Sequence, residues 1–220
     1  MNTPDTPDTP NTALAWVAEG TALCAKALEG LDETAYAAPS PLPGWTRKHV
    51  VAHLAGNAEA VGNLVRWART GVPTPMYASP AQRAEAIEAG AGLPGEQLTV
   101  WFRESARALA DAMAALTGDQ WRAEVVTAQG RTVPVSETPW MRSREVMVHA
   151  VDLGTGPGFA DLPEAFLAEL RADILARRGR DTVPAVHGSP AEITAYLAGR
   201  PCTGVTTTDG LPAEPLTPWL

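Results

Sequence analysis

Ser143-Arg144-Glu145-Val146-Met147-Val148-His149-Ala150-Val151-Asp152 is the stretch on which the reading of this chain turns. It holds no proline or glycine and reads as helix, and residues four apart project from one helical face. Glu145 and His149 therefore present a carboxylate and an imidazole together. About ninety positions earlier a second helical segment carries His53 on one face with Val50, Leu54, Asn57, Val61 and Leu64. Two imidazoles and one carboxylate make a three-ligand set for a divalent cation, most often zinc, with coordination left open for water, thiol or substrate. Burying Glu145 unpaired inside a bundle would cost on the order of several kcal/mol, which favours a partner or a cation.

The neighbouring alternatives are weaker. His49 and His53 are also four apart, but His49 falls in the first turn beside Arg47 and Lys48 and is expected on the surface. His187 has no companion. Asp152, three residues after His149, reads either as a carboxylate that orients the imidazole or as a solvated helix-end acid. Cys24 and Cys202 are the two cysteines, neither spaced like a structural zinc ligand. Cys24 lies in an apolar stripe and is expected as a small core residue.

Working outward, Leu14, Val17, Thr21, Cys24, Leu28 and Leu31 recur at helical spacing and predict the first helix. Thr46 caps the second, with Trp45 and Val50 as a hydrophobic staple, and this helix should run to about Arg69. Pro73 to Gly95 reads as a long connection with a helical turn or two from Pro80 to Glu88. Leu98, Phe102, Ser105, Leu109, Ala112 and Leu116 mark the third helix. Ala123 to Val135 suggests a hairpin around Gln129-Gly130, and Thr138-Pro139 opens the fourth helix, ending near Gly154.

Four long helices with crossover loops describe a bundle, an architecture whose metal sites come from inward side chains on facing helices. After Gly154 the pattern changes. Pro163 to Arg178 predicts a helix, Ser189-Pro190-Ala191-Glu192 is a capping box for another, and β-prone pieces lie at Val183 to Val186 and Gly204 to Thr208. The expected fold is mainly α: residues 1–12 a disordered tail with a Thr-Pro-Asp repeat, 13–156 the four-helix bundle, and 160–220 a small α+β domain.

The 220 residues are 45% apolar with a net charge of −8. That balance argues against nucleic acid and anionic membranes as partners. No apolar run approaches a membrane span and the N-terminus has no secretion-signal pattern, so a cytoplasmic location is expected. Oligomeric state is not legible.

Leu42-Pro43-Gly44-Trp45-Thr46 leading to His53-Leu54-Ala55-Gly56-Asn57 resembles a known family. So do Thr74-Pro75-Met76-Tyr77 with Arg83, Gly130-Arg131, and Pro139-Trp140 through Arg142, Arg144-Glu145, His149 and Val151-Asp152-Leu153-Gly154. The family is that of the mycothiol-dependent maleylpyruvate isomerases, DinB-like metal-binding four-helix bundles. Gly188 to Arg200 and Pro215 to Leu220 are similar to that family's small C-terminal domain, related to sterol-carrier proteins.

The resemblance implies Zn2+, or another divalent metal, on His53, Glu145 and His149, and a low-molecular-weight thiol regenerated at each turnover. It implies conversion of maleylpyruvate to fumarylpyruvate in the gentisate route of aromatic degradation, with Arg200 the best match to a functionally important arginine. Arg83, Arg144, Asn57 and Tyr77 are the candidate substrate-binding residues. A solvated loop position for Arg83 and a structural ion pair for Arg144 are the plain alternatives. Mycothiol enters by resemblance, while ergothioneine, bacillithiol and glutathione would serve the same chemistry. Two other functions share the ligand set: a DinB-like S-transferase that consumes its thiol, and a noncatalytic metal- or thiol-binding module.

Overall fold

The structure is a computed structural model and describes residues 9–219; the tail expectation for residues 1–8, and Leu220, lie outside it. The described residues form two compact units, dividing between Leu153 and Gly154. In the first, four long helices make the bundle: α1 (Thr9–Ala27), α3 (Arg47–Thr70), α5 (Gly95–Ala114) and α7 (Thr138–Asp152). Short helices α2 (Glu33–Ala37), α4 (Pro80–Ala91) and α6 (Gly118–Trp121) lie between them. Strands β1 (Glu124–Val126) and β2 (Thr132–Pro134) pair antiparallel, Val125 opposite Val133, as the expected hairpin. Among the described residues no helix is long and apolar enough to cross a membrane.

Helix α3 is central, packing on α4, α5 and α7, while α1 packs on α7. Its buried face runs through Val50, Val51, Leu54, Ala55, Ala58, Val61, Leu64 and Val65, which meets Leu98, Phe102, Leu109 and Met113 of α5. Three contacts fix the register of α3 against α7. Arg47 Nε donates to the Leu153 carbonyl (2.7 Å), His53 meets Glu145 (2.8 Å), and Arg142 Nη1 donates to Asn57 Oδ1 (2.7 Å). As numbers rise on one helix they fall on the other, so the two run antiparallel. On the opposite side of α7, a Cβ on Gly20 would stand 2.5 Å from Val146 Cγ2 and 3.1 Å from the Met147 nitrogen. Only glycine allows α1 this close to the helix that carries Glu145 and His149.

Several elements differ from the sequence reading. Helix α1 starts at Thr9, inside the stretch read as tail, and stops at Ala27 rather than reaching Leu31. Asp32 then caps the separate helix α2, its carboxylate accepting from the Ala35 N–H (2.8 Å). The long connection holds a three-turn helix, α4, because Ser79 caps it by accepting from the Gln82 N–H (3.0 Å) and Pro80 opens it. Thr138 is the first helical residue of α7, not its cap, because a 3-10 turn at Val135–Glu137 leads straight into it. The α6 turn, capped by Thr117 and Gln120, has no counterpart in the apolar periodicity, being too short to show one.

In the second unit, α8 (Glu164–Arg178) packs on α9 (Pro190–Leu197), and β3 (Val186–His187) pairs antiparallel with β4 (Thr206–Thr207). Phe166, Leu170, Ile174, Tyr196 and Leu197 form its interior. Ser189 caps α9 as expected, but Glu192 does not complete the box: its carboxylate accepts from the Thr203 and Gly204 N–H groups (3.0 and 3.1 Å). That ties the loop after α9 back to its start. Gly199, at φ +68°, ends α9 where the C-terminal strap crosses it, the Trp219 N–H donating to the Ala198 carbonyl (3.2 Å). Arg178 donates to the Thr217 carbonyl and holds the strap down.

Candidate metal centre

His53 on α3 and Glu145 and His149 on α7 converge, with their ligand atoms all within 4.8 Å of one another. His53 Nε2 lies 2.8 Å and His149 Nε2 3.4 Å from the same oxygen, Glu145 Oε2. The two imidazole rings stand edge to face, centroids 4.8 Å apart. Both histidines are only 4% exposed, and Glu145 is half-buried.

Of the three candidate ligands, His149 has a carboxylate behind its imidazole. Asp152, fully buried, accepts from His149 Nδ1 (2.8 Å), so that in the neutral imidazole Nε2 is the lone-pair nitrogen facing the site. The solvated reading of Asp152 is thereby overturned. Arg83 Nη2 sits 3.3 Å from His53 Nδ1, and its guanidinium lies over the Tyr77 ring at 5.9 Å. Trp45 stands between His53 (5.6 Å) and His49 (6.2 Å). Arg142, wholly buried, donates to the Leu54 carbonyl (2.8 Å) and to Asn57 Oδ1 (2.7 Å). Burial pushes its pKa down to about 10, so it remains a cation at neutral pH.

The electrostatics suit a cation. Burial acts to raise the Glu145 pKa, but bonds from His149 and His53 outweigh it and hold the carboxyl well below its ordinary range. Burial pulls His53 down, only partly offset by Glu145, and favours the neutral imidazole a metal needs. His149 is pulled down by burial yet ends raised, because Asp152 and Glu145 stabilise its charged form. Two Nε2 atoms and a carboxylate oxygen on one point, with an acid behind one imidazole, are a donor set that fits zinc or a similar divalent ion.

The sequence-derived candidates divide in two. The structure brings His53, Glu145 and His149 together, with Arg83 beside His53, Tyr77 under the Arg83 guanidinium and Asn57 one turn along α3. Arg83 belongs to helix α4, not a solvated loop. Arg144 is buried with its guanidinium over Trp140 at 5.8 Å. Arg200 belongs to the other unit, buried, its Nη1 donating to the Ala198 carbonyl (2.8 Å).

His49 corrects the surface expectation. Its side chain is 17% exposed, and its Nδ1 accepts from the Thr46 N–H (3.2 Å) as the capping partner of α3. The cations beside it are engaged elsewhere, Arg47 on the Leu153 and Ala35 carbonyls and Lys48 on Glu33 and the Leu93 carbonyl. Arg142 is the residue that sequence reasoning missed. A signal existed, since positions 142, 145, 149 and 152 repeat at three and four and form one wholly polar stripe.

Two outcomes follow from this geometry. Asp152→Asn is expected to weaken cation affinity about 10–100-fold while the bundle stays folded, as read by chelator competition. The raised pKa of His149 makes a proton compete with a cation for its imidazole. Affinity should therefore fall as pH is lowered toward the ordinary imidazole value of about 6.5, with proton release measurable by calorimetry in buffers of different ionisation enthalpy.

Antiparallel long helices with an inward-facing pair of histidines and a carboxylate, a possible metal site, define a mainly α bundle of DinB-like fold, here joined to a small α+β unit. Residues 17–154 match the model of the mycothiol maleylpyruvate isomerase N-terminal domain. The chain belongs to that family. It is also similar, at 40% identity and a TM-score of 0.87, to the crystal structure of a mycothiol-dependent maleylpyruvate isomerase, over 98% of this chain and 99% of that one. The crystal structure of a histidine-to-alanine mutant of such an isomerase matches with the same figures. Among curated proteins there is no significant match.

Proposed function

We propose that this protein is a cytoplasmic, zinc- and thiol-dependent cis–trans isomerase that converts maleylpyruvate to fumarylpyruvate during aromatic degradation. The observation that carries the reading is the convergence of His53, Glu145 and His149 in a chain similar, nearly end to end, to a mycothiol-dependent maleylpyruvate isomerase. Mycothiol is the proposed thiol on the same ground.

His53, Glu145 and His149 would hold the metal, and Asp152 fixes the His149 tautomer that serves it. When bound, the cation supplies the charge that lowers a thiol's pKa from about 8.5 and makes a nucleophile available at neutral pH. The thiolate adds to the cis carbon–carbon double bond, and the displaced electron pair moves onto the conjugated keto oxygen as an enolate. The carbon–carbon bond, now single, rotates; collapse of the enolate then expels the thiolate and leaves the trans alkene. Nothing is oxidised and the thiol is returned.

The chain's own contribution is to bind two carboxylates and the developing enolate. Arginine suits both, since its fork of donors matches a carboxylate. Arg83 beside His53, the Tyr77 ring it covers, Asn57 and Arg144 are proposed as substrate contacts, and Arg200 as the residue that positions a substrate carboxylate.

Thiol accounting tests the reading. Purified, metal-analysed protein is incubated with maleylpyruvate and, in turn, mycothiol, ergothioneine, bacillithiol and glutathione. Loss of the cis isomer with total free thiol constant supports the isomerase. Stoichiometric loss of thiol indicates an S-transferase, and no turnover with any thiol leaves a binding module.

A further inference from the structure

Arg142 is costly where it stands. Its side chain is wholly buried, yet Nε and Nη2 have no protein partner among the described residues. An apolar side chain of similar volume would pack there without desolvating a charge. The two bonds it does make fall on one turn of α3, at the Leu54 carbonyl and Asn57 Oδ1. That turn follows His53 directly.

The bond to Asn57 settles an orientation. A guanidinium only donates, so Asn57 must offer Arg142 its oxygen, and its NH2 group is turned the other way. Asn57 is one turn from His53 on the same face of α3. Its exposure of 5% is like that of the two site histidines at 4%. No acceptor for Asn57 Nδ2 exists among the described residues, and it is not among the sealed, partnerless atoms. The amide donors are thus the solvent-reachable end of this side chain, one turn of α3 from His53.

We infer that Asn57 is a substrate-contacting donor, its NH2 binding an anionic oxygen of a small unsaturated dicarboxylate, and that Arg142 is the positioning residue that locks the amide in that sense. The identity of the anion rests on the isomerase reading; the donor and its lock rest on the geometry. The cross-helix bond Arg142–Asn57 repeats the His53–Glu145 contact one turn along both helices. The register that assembles the metal ligands therefore also aims the amide.

The test uses metal-loaded full-length protein and two readouts, maleate affinity by calorimetry and kcat/KM for maleylpyruvate. Asn57→Asp keeps an acceptor for Arg142 and removes the outward donor. It is expected to retain one equivalent of metal and its Tm, while maleate affinity and kcat/KM each fall about tenfold or more, as for loss of a hydrogen bond to a charged group. Arg142→Gln should lower both quantities in the wild-type background and neither further in an Asn57→Ala background. Wild-type maleate affinity in Asn57→Asp overturns the donor role. Losses from Arg142→Gln and Asn57→Ala that multiply overturn the lock and leave Arg142 structural. If the wild type binds maleate but isomerises nothing, and Asn57→Asp abolishes that binding, the donor stands and the isomerase reading fails.

Discussion

Glu145→Gln is expected to give a folded protein whose cation affinity falls by more than the roughly 10–100-fold that loss of a supporting partner costs. Isomerase turnover should drop to background with it. The carboxylate oxygen is the point both imidazoles share, at 2.8 and 3.4 Å, and the amide keeps its shape but not its charge. Chelator competition and residual activity at saturating zinc read the two effects separately.

The same substitution has a pH signature in metal-free protein. The folded-state pKa of Glu145 lies well below the ordinary value, so its stabilisation is fully present above the unfolded value of about 4.3. It is lost as pH falls through the folded value. Wild type and Glu145→Gln should differ by about 1–3 kcal/mol in denaturant unfolding at neutral pH, and that difference should shrink in acid. A constant difference across pH would mean that the carboxylate's charge contributes nothing.

Gly199→Ala is the second large effect. A Cβ there would lie 2.4 Å from the Thr217 carbonyl oxygen and 2.8 Å from Pro218 Cα, and the backbone holds φ at +68°. Left-handed strain costs about 1–2 kcal/mol and overpacking about 1–3 kcal/mol more, so a loss of about 2–5 kcal/mol is expected. Because the clash is with backbone, no side-chain rotation relieves it. Chemical denaturation of the full chain should show the loss, with the C-terminal strap becoming protease-sensitive. Metal content should hold, since all three ligands lie in the other unit, while turnover falls if Arg200, the next residue, serves the substrate. Gly62→Ala is the control: nothing lies within 4 Å of that Cβ position in α3, and a helical Gly-to-Ala change stabilises by up to about 1 kcal/mol.

The long helices and the pairing of Glu145 with His149 on one face were legible in the sequence because both follow from spacing within a single helix. The stripe through Leu98, Phe102 and Leu109 and the Glu145/His149 pair each need only the helical period to be seen. What stayed hidden depends on packing between segments distant in the chain. Arg142 shows its polar stripe in sequence, but its partners, Leu54 and Asn57, are set by the antiparallel register of α3 and α7. Arg83 could be placed only once Ser79 and Pro80 were known to start a three-turn helix and swing it toward His53. His49 looked solvated because of Arg47 and Lys48, and only the tertiary carbonyls that absorb those two cations leave it free to cap α3.

His53 and Glu145 are 92 positions apart, which has a kinetic consequence. The donor set cannot exist before a loop of that length has closed, at an entropic cost that rises with its logarithm. A divalent ion would then recognise only the docked helices, so it should slow the unfolding limb of a chevron and leave the refolding limb almost unchanged.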